Sequence, residues 1–318
     1  MTMTASPLSP APHGLESAEG PAGRLGGVLL VLGGILSFQV GGSMAKTLFP
    51  LFGPLGTVSL RLWIAALALC LLARPWRASP DRGTLLVIVR YGVSICLMNM
   101  MFYLALDRLP LGIAVAIEFL GPLTLTFLGP RRPVDMMLIA MVLVGLLLLL
   151  QPGATLHGQG IDPLGFLYGL LGAAAWGVYI LAGAQISRRI DATQGAAIGL
   201  AVGALTVTPV FAWTLPRAAT HPHATLVACG VALLSSALPY TLEMLALKRL
   251  HAREFGILTS MDPAVAALAG LVLLGEYLSP AQWAGIMCIV VSSIGGVMLR
   301  RPESAPTDRL EPEPVPEI

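Results

Sequence analysis

Runs of apolar residues separated by short polar breaks fill the chain from about residue 25 to residue 299. A helix that crosses a membrane needs about 20 predominantly apolar residues. Ten such segments are predicted, at residues 25–45, 55–73, 84–106, 111–129, 134–151, 164–184, 193–215, 224–246, 255–274 and 282–299. Residues 1–23 and 302–318 are too poor in bulky apolar residues to form a core and are predicted to be disordered tails. The pattern therefore predicts an all-α integral membrane protein with ten transmembrane helices.

The composition supports the membrane class and removes several others. Of 318 residues, 56% are hydrophobic and 11% are charged, whereas soluble domains have about 25% charged residues. The four cysteines lie in apolar runs, without a CxxC pair or a histidine at ligand spacing, so buried free thiols are predicted. The sequence has no nucleotide-binding loop, zinc signature or nucleophile elbow. It thus predicts no metal, no cofactor and no nucleic-acid partner.

The lysines and arginines are distributed unevenly between the two sides of the predicted bundle. With the N terminus in the cytoplasm, fourteen of them fall on the cytoplasmic side and three on the opposite side. The fourteen are Arg24, Arg74, Arg77, Arg82, Arg131, Arg132, Arg188, Arg189, Lys248, Arg249, Arg253, Arg300, Arg301 and Arg309, and the three are Lys46, Arg108 and Arg217. Because cytoplasmic loops carry the excess of positive residues, both termini are predicted to be cytoplasmic.

The two halves of the chain are similar to each other. Residues 104–109 read LALDRL and residues 245–250 read LALKRL, a shift of 141 positions that also places Pro122 on Pro263. Each of these prolines has a carboxylate nearby in an apolar run. A repeat of five spans reverses its direction between the copies, so the pattern predicts an inverted five-plus-five arrangement. Transporters built in this way hold their substrate near the midplane, between the halves.

Several stretches are similar to a known family of membrane proteins. They are GGSMAKTLFPLFGPLG (41–56) with LRL (60–62), MNMMFYLALDRLPLGIAVAIEFLGPL (98–123), RRPVD (131–135), WGVYILAG (176–183), SSALPYTLEMLALKRL (235–250) and FGILTSMDPAVAALAG (255–270). On these stretches the chain resembles the drug/metabolite transporter superfamily, in its ten-helix EamA branch, and within that branch the bacterial threonine/homoserine exporters. The likeness extends from about residue 25 to residue 300.

The resemblance implies two EamA repeats, at residues 24–151 (helices 1–5) and 164–301 (helices 6–10), joined by a linker at residues 152–163. It also implies export of small polar amino acids such as threonine and homoserine across the bacterial inner membrane, by proton-coupled antiport with alternating access. The partners are then the amino acid, protons and the lipid bilayer, with either a monomer or a homodimer as the unit. One departure concerns Asp262, because the family pattern SMEP is SMDP here and the acid is one methylene shorter.

Three acidic residues inside the apolar segments are candidates for binding protons and the ammonium group of a cargo. A charge at the centre of a membrane helix costs about 2.5–3.5 kcal/mol on insertion scales, so an acid there needs a function. Glu118 is the first candidate, with a protonated and purely structural acid as the alternative. Glu243 either binds cargo or pairs with Lys248, five residues further on. Asp262 either takes part in transport or satisfies backbone groups that Pro263 leaves unpaired.

The carboxylate of a zwitterionic cargo also needs a partner. Arg61 in the second span either binds it or snorkels to the outer surface, which is about 9 Å away at 1.5 Å per residue. The alternative is a helix broken at Pro122 or Pro263, because its exposed N–H groups and positive dipole end attract a carboxylate. Pro239 is predicted to break the eighth span in the same way. Arg90, near the cytoplasmic end of the third span, is expected to snorkel.

Other polar and aromatic residues in the apolar spans are candidates for the wall of the cargo site. They are Gln39, Asn99, Tyr103, Trp176, Tyr179, Ser235, Ser236 and Tyr240. The polar side chains either bind the cargo or join helices by hydrogen bonds, and the aromatic ones either wall the cavity or pack against other helices.

Proton-coupled export of small polar amino acids is thus the leading hypothesis, with a broader drug, amine or metabolite exporter of the same fold as its alternative. A membrane-embedded transferase is the competing class. Such an enzyme needs acids, histidines or a metal site at the membrane interface, and all five histidines fall in predicted tails or short loops. The chain is therefore predicted not to be an enzyme.

Overall fold

A computed structural model describes most of the chain, and every regular element in the described part is a helix. The described residues are 21–77, 82–127, 133–150, 161–186, 189–190, 192–247 and 249–299. Most of both predicted tails, most of the predicted linker, and Arg131, Arg132, Arg188 and Lys248 lie outside these ranges. The first helix begins at Pro21, inside the segment predicted as the N-terminal tail.

The first half of the chain contains six helices. They are α1 (Pro21–Thr47), α2 (Phe49–Ala73), α3 (Arg82–Arg108), α4 (Leu111–Glu118), α5 (Leu120–Thr126) and α6 (Pro133–Leu150), with a short 3₁₀ turn at Pro75–Arg77. The second half contains eight further α-helices and one π-helical turn. They are α7 (Pro163–Ile186), α8 (Ala192–Thr206), α9 (Thr208–Thr220), α10 (Pro222–Ala232), the π-helical turn Leu233–Ala237, α11 (Leu238–Leu247), α12 (Ala252–Thr259), α13 (Asp262–Leu274) and α14 (Pro280–Leu299).

The lengths of these helices confirm a helical multi-pass membrane protein. Eight helical segments in the described ranges are long and apolar enough to cross a bilayer, with α10 and α11 counted as one segment and α12 and α13 as another. The pair α8 and α9, bent by 75°, makes a ninth if it counts as one span. The fourth predicted span, at residues 111–129, is instead a short broken helix over residues 111–125. The predicted number of ten membrane crossings depends on counting that short helix as well.

Prolines break the fourth and ninth predicted spans at the same position of the repeat. Helix α4 ends at Glu118 and α5 begins at Leu120, two residues before Pro122. Helix α12 ends at Thr259, and Pro263 is the second residue of α13. Proline has no N–H for the carbonyl four residues earlier and its ring clashes with that carbonyl, which disrupts each helix there.

Pro239 distorts the eighth predicted span and changes the partners of two carbonyl groups. The helix widens into a π-helical turn over Leu233–Ala237. Without an N–H, Pro239 leaves the carbonyls four and five residues earlier in need of other donors. The Leu234 carbonyl accepts from Ser37 Oγ at 2.7 Å, and the Ser235 carbonyl accepts from Arg61 Nη2 at 2.8 Å. The helix was predicted to break at Pro239 but continues through this turn, and the two carbonyls join it to α1 and α2.

The helices of the two halves pack against each other in a symmetric pattern. Helix α3 packs on α7 as α11 packs on α1, and α3 packs on α8 as α10 packs on α2. The pairs α6 with α14, α4 with α13 and α2 with α8 each join equivalent helices of the two halves. Exchanging every helix for its counterpart therefore leaves this set of contacts unchanged, which is the pattern expected of two related halves.

The start of α7 is fixed by Asp162, at the end of the predicted linker. Its Oδ1 accepts from the backbone N–H groups of Leu164 at 2.8 Å and Gly165 at 3.1 Å, and its Oδ2 accepts from Arg108 Nη1 at 2.9 Å. The bond from the Gly165 N–H, together with the guanidinium of Arg108, lowers the pKa of Asp162. This capping joins the ends of α3 and α7.

Gly112 permits the close approach of α4 and α13, and we expect its substitution to destabilise the protein. A Cβ atom there would lie 2.6 Å from Cα and 2.9 Å from N of Ala267, which are backbone atoms. Gly112→Ala should lower the free energy of unfolding by about 1–3 kcal/mol, the usual cost of overpacking. Heat unfolding of the detergent-solubilised protein measures the change.

Gly177→Ala is the matched control, because a Cβ at Gly177 in α7 meets nothing within 4 Å. Alanine is the better helix former by about 1 kcal/mol, so this variant should melt at or above the wild-type temperature. Equal melting temperatures for the two variants would contradict the close packing of α4 on α13.

Candidate functional site

A cavity of about 400 Å³ lies between the two halves, and all three candidate carboxylates line it. Glu118 comes from the end of α4, Glu243 from α11 and Asp262 from the start of α13. The broken and distorted helices therefore bring these acids to one space. Cavities of this size are typical of small-molecule sites. No group of three or more metal-binding side chains occurs within the described ranges.

The side-chain carboxyl groups of Glu118 and Glu243 have no hydrogen-bond partner among the residues that the structure describes. Glu118 is 7% exposed, and the nearby Gly172 leaves room for its Oε1, which would lie 3.4 Å from a Cβ atom at that position. Glu243 is only partly buried. A carboxyl group in apolar surroundings needs a proton or a cation to offset its desolvation. Both acids are placed to take that partner from the cavity.

Asp262 differs from the other two acids because the protein holds it. Gln39 in α1 donates from Nε2 to Asp262 Oδ1 at 2.6 Å, across 223 positions of the chain. Gln39 is fully buried, and its Oε1 has no hydrogen-bond partner in the described part. The bond orients the Asp262 carboxyl group and joins α1 to the break between α12 and α13.

Arg61 points into the protein and does not snorkel to the outer surface, because it is only 5% exposed. Its Nη1 donates to Asn99 Oδ1 at 2.9 Å, its Nε to Ser236 Oγ at 3.3 Å and its Nη2 to the Ser235 carbonyl at 2.8 Å. The guanidinium also lies 5.6 Å from the ring centroid of Tyr103, within cation–π range. All of its hydrogen-bond partners in the described ranges are neutral oxygens.

The remaining predicted site residues divide into two groups. Those beside Arg61 rather than on the cavity wall are Asn99, Tyr103 and Ser236. Those that line the cavity are Trp176, Tyr179, Ser235, Pro122 and Pro239. Trp176 packs edge-on against Phe119, with ring centroids 5.9 Å apart, and Tyr179 stacks on Tyr91 at 5.0 Å. The predicted position of Tyr240 lies on α11, but its side chain is outside the described part.

Sequence reasoning missed three hydroxyl groups on the cavity wall, those of Thr259, Ser260 and Ser293. Ser260 lies two residues before Asp262, so its closeness to a predicted site residue could have identified it. Ser293 lies in an apolar helix and has no such signal. Arg90 agrees with its expected snorkelling, since it is exposed and donates to Gln185 Oε1 at 2.6 Å.

Away from the cavity, a lysine near the end of α1 and a glutamate just after α13 join the two halves. Lys46 Nζ lies 2.6 Å from Glu276 Oε1 and donates to the Leu109 carbonyl at 2.9 Å. Glu276 Oε2 accepts from the N–H of Leu111, the first residue of α4, at 2.7 Å. The side chains of Lys46 and Glu276 are 24% and 15% exposed, so water screens this pair only in part. We call these four residues the latch.

The end of α13 positions Glu276 for the latch. Gly275 has φ 66°, in the left-handed region, and turns the chain back at the end of α13. The Glu276 N–H then donates to the Gly270 carbonyl at 3.0 Å. A Cβ atom at Gly270 would lie 2.6 Å from Glu276 Oε2, so a larger residue there would displace this carboxylate oxygen.

A helical membrane protein with a carboxylate-lined cavity between two halves has the architecture of secondary transporters. The EamA-like transporter family matches residues 163–298. The threonine/homoserine exporter RhtA of Escherichia coli (strain K12) is 40% identical over 280 residues, which cover 87% of this chain and 93% of that protein. RhtA of Salmonella typhimurium (strain LT2) is 39% identical over 279 residues, covering 87% and 92%.

A solved crystal structure of another protein supports the fold alone. It has 21% sequence identity and a TM-score of 0.53, and the match covers 87% of this chain and 97% of that one. The match to the EamA-like transporter family, together with the RhtA relatives, shows that the chain belongs to that family. Membership of a transporter family confirms the prediction that the chain is not an enzyme.

The guanidinium of Arg61 donates hydrogen bonds in several directions, so we predict that lysine cannot replace it. Arg61→Lys keeps the positive charge but cannot reach the oxygens of Asn99, Ser236 and Ser235 together. Leaving such buried acceptors unpaired should lower the free energy of unfolding by about 1–3 kcal/mol. The measurement is again heat unfolding in detergent.

Arg90→Lys serves as the control, because Arg90 is an exposed arginine of α3. An exposed substitution of this kind should change stability by less than about 0.5 kcal/mol. If Arg61→Lys melts at the same temperature as Arg90→Lys, the bonds of the guanidinium do not stabilise the bundle.

Proposed function

We propose that this protein exports threonine and homoserine from the cytoplasm across the bacterial inner membrane. The observation that carries the proposal is the 40% identity, over 87% of the chain, to a protein named as a threonine/homoserine exporter. The aligned 280 residues are more than either half contains, so the similarity extends over both halves. Proteins that share the fold alone differ in cargo, which makes identity over most of the chain the stronger argument.

The chemistry of the cavity suits an amino acid that is exchanged for protons. The cargo ammonium group needs an acidic partner, and Glu118 and Glu243 have no hydrogen bond to the described residues. A carboxylate that holds a proton has lost the charge that attracts the ammonium group. Binding of cargo and binding of a proton therefore compete, and this competition couples export to proton entry. Glu118 is the acid we assign to coupling, because it lies at the break between α4 and α5.

The cargo carboxylate needs a positive field on the opposite side, and Arg61 supplies it. Arg61 Nη2 donates to the Ser235 carbonyl, and Ser235 lines the cavity. In a low-dielectric interior the charge of Arg61 acts over a layer of side chains. We assign Arg61 to holding this field rather than to direct contact with the cargo.

We further propose that the two halves form an inverted repeat of five plus five membrane crossings, with both termini in the cytoplasm. The symmetric packing and the paired breaks before Pro122 and Pro263 support two related halves. The excess of lysine and arginine supports the orientation. In this count the short helix over residues 111–125 and the bent pair α8–α9 are each one crossing.

With that orientation, the cavity lies towards the cytoplasmic ends of its helices and the latch closes the outer side. Phe255 near the start of α12 and Val297 near the end of α14 line the cavity. Lys46 and Glu276 lie at the opposite ends of α1 and α13. The arrangement corresponds to an inward-facing state. Opening of the latch then exposes the cavity to the outside, as alternating access requires.

Substitution of Glu118 tests the coupling. Glu118→Gln keeps the shape of the side chain but binds neither a proton nor an ammonium charge. We expect uphill efflux of threonine, driven by an imposed pH gradient, to fall at least ten-fold. The measurement uses labelled threonine and homoserine in proteoliposomes, with and without the gradient.

Asp107→Asn, which changes an exposed carboxylate at the end of α3, is the matched control and should transport normally. Wild-type efflux by Glu118→Gln would remove Glu118 from the coupling. If the wild-type protein itself moves neither amino acid, the assigned cargo is wrong, and a panel of other amino acids, amines and metabolites then identifies the class.

Substitution of Glu276 tests the latch. Glu276→Gln keeps an oxygen for the Leu111 N–H and removes the ion pair with Lys46. Partly exposed pairs of this kind contribute up to about 1 kcal/mol, so the outward-open population should rise about three- to five-fold. Ala114 is fully buried in α4 and matches the cavity residue Phe255 at the 141-residue shift. Ala114→Cys should therefore label faster from outside when Glu276→Gln is present.

The labelling uses an impermeant maleimide and a background without the native cysteines. Tyr277→Cys and Trp76→Cys, at positions 87% and 66% exposed, are the controls for the outer and cytoplasmic sides. Labelling of both controls from one side would overturn the topology. An unchanged rate at Ala114→Cys would show that the ion pair does not hold the outer side closed.

A further inference from the structure

Two serine hydroxyls from different helices form a pair on the cavity wall. Ser260 lies in the break between α12 and α13, and Ser293 lies on α14. Both line the cavity that holds the three carboxylates. Their Oγ atoms are 2.8 Å apart, and the residues are only 1% and 5% exposed. The pair is thus a buried polar feature inside the proposed cargo site.

The proton of each hydroxyl can be assigned from the surrounding distances. Ser260 Oγ donates to the Gly256 carbonyl at 2.7 Å. A hydroxyl group has one proton, so the bond between the two serines uses the proton of Ser293. The oxygen of Ser293 then keeps acceptor capacity, and no other described residue bonds to it. Ser293 therefore presents to the cavity an acceptor that needs a donor.

Ser293 differs in this respect from the other hydroxyls on the wall. Serine and threonine in helices commonly donate back to a carbonyl of their own helix. Ser235 donates to the Val231 carbonyl, and Thr259 donates to the Phe255 carbonyl at 3.1 Å. Ser293 donates across to Ser260 on another element, so its oxygen is not held against its own helix.

We propose that Ser293, oriented by Ser260, binds the side-chain hydroxyl of the cargo and makes the site select hydroxylated amino acids. The inference rests on the proposed function and adds the group that reads the cargo side chain. The three carboxylates attract the ammonium group more strongly than a neutral oxygen does, which leaves Ser293 for the hydroxyl. An apolar side chain in the same place would leave the acceptor capacity of the Ser293 oxygen unused. The equivalent position to Ser260 in the first half is Phe119, so only the second half carries this pair.

The test compares threonine with valine, which has the same shape and a methyl group in place of the hydroxyl. Proteoliposomes are loaded with an equimolar mixture of the two, each with a different radioactive label, and the ratio of their efflux rates is measured. A single neutral hydrogen bond corresponds to about a two- to ten-fold preference. We expect Ser293→Ala to lower the threonine-to-valine ratio by that factor, mainly through slower threonine efflux.

Ser292→Ala is the matched control. Ser292 is the neighbouring residue of α14, is fully buried and donates to the Leu138 carbonyl at 2.9 Å, away from the cavity. It should keep the wild-type ratio. Because both labels are measured in the same vesicles, the ratio does not depend on how much protein folds or inserts.

The outcomes separate this inference from the proposed function. Efflux of threonine with an unchanged ratio in Ser293→Ala overturns the hydroxyl site and leaves the exporter assignment intact. A wild-type protein without preference for threonine over valine also overturns the site. A wild-type protein that exports neither threonine nor homoserine removes the proposed function, and the inference falls with it.

Discussion

The hydrocarbon core of a bilayer supplies no water, so each backbone and side-chain polar group of this protein needs a partner inside the bundle. The prolines make this constraint acute, because each removes a donor from a helix. At Pro239 the carbonyls of Leu234 and Ser235 bond instead to Ser37 and Arg61. Those bonds join three helices beside the cavity. The need to satisfy broken helices thus fixes the geometry of the site.

Two of the three carboxylates do not meet this requirement within the described ranges, and all three lie together. Asp262 is held by Gln39, whereas Glu118 and Glu243 have no hydrogen bond to the described residues, and all three line the cavity. A purely structural acid would be expected to be paired in such surroundings. The arrangement is understandable if the missing partner is supplied by the transported molecule or by a proton. The family to which the chain belongs transports solutes, which agrees with that interpretation.

The two halves contact each other differently at the two ends of the bundle. At one end, the hydrogen bonds and the ion pair of the latch join the end of α1 to the start of α4 and the end of α13. At the other end, several helices surround the cavity. In the alternating access that we propose, one half moves against the other and exchanges the closed end for the open one. The glycines at positions 112 and 270 matter here, because they allow close contact where the halves meet.

Much of the fold could be predicted from the sequence, because burial in lipid requires long apolar segments and prolines act on their own helix. Hydropathy alone indicated the helical membrane class, and Pro122 and Pro263 indicated where helices break. Pro239 indicated where a helix is distorted. The three acids were also evident, since a charge in an apolar run is conspicuous. The fourth predicted span consists of two short helices divided before Pro122, and its last two predicted residues lie outside the described ranges.

The side-chain partners were decided only by the tertiary structure. The partners of Arg61 lie on other helices. The same is true of three pairs of residues far apart in the chain, which are Gln39 with Asp262, Ser260 with Ser293, and Lys46 with Glu276. Local patterns carry no information on which residue of another helix lies opposite, since that depends on how the helices cross. The sequence by itself determined where polar groups must be satisfied, and packing determined by which partner.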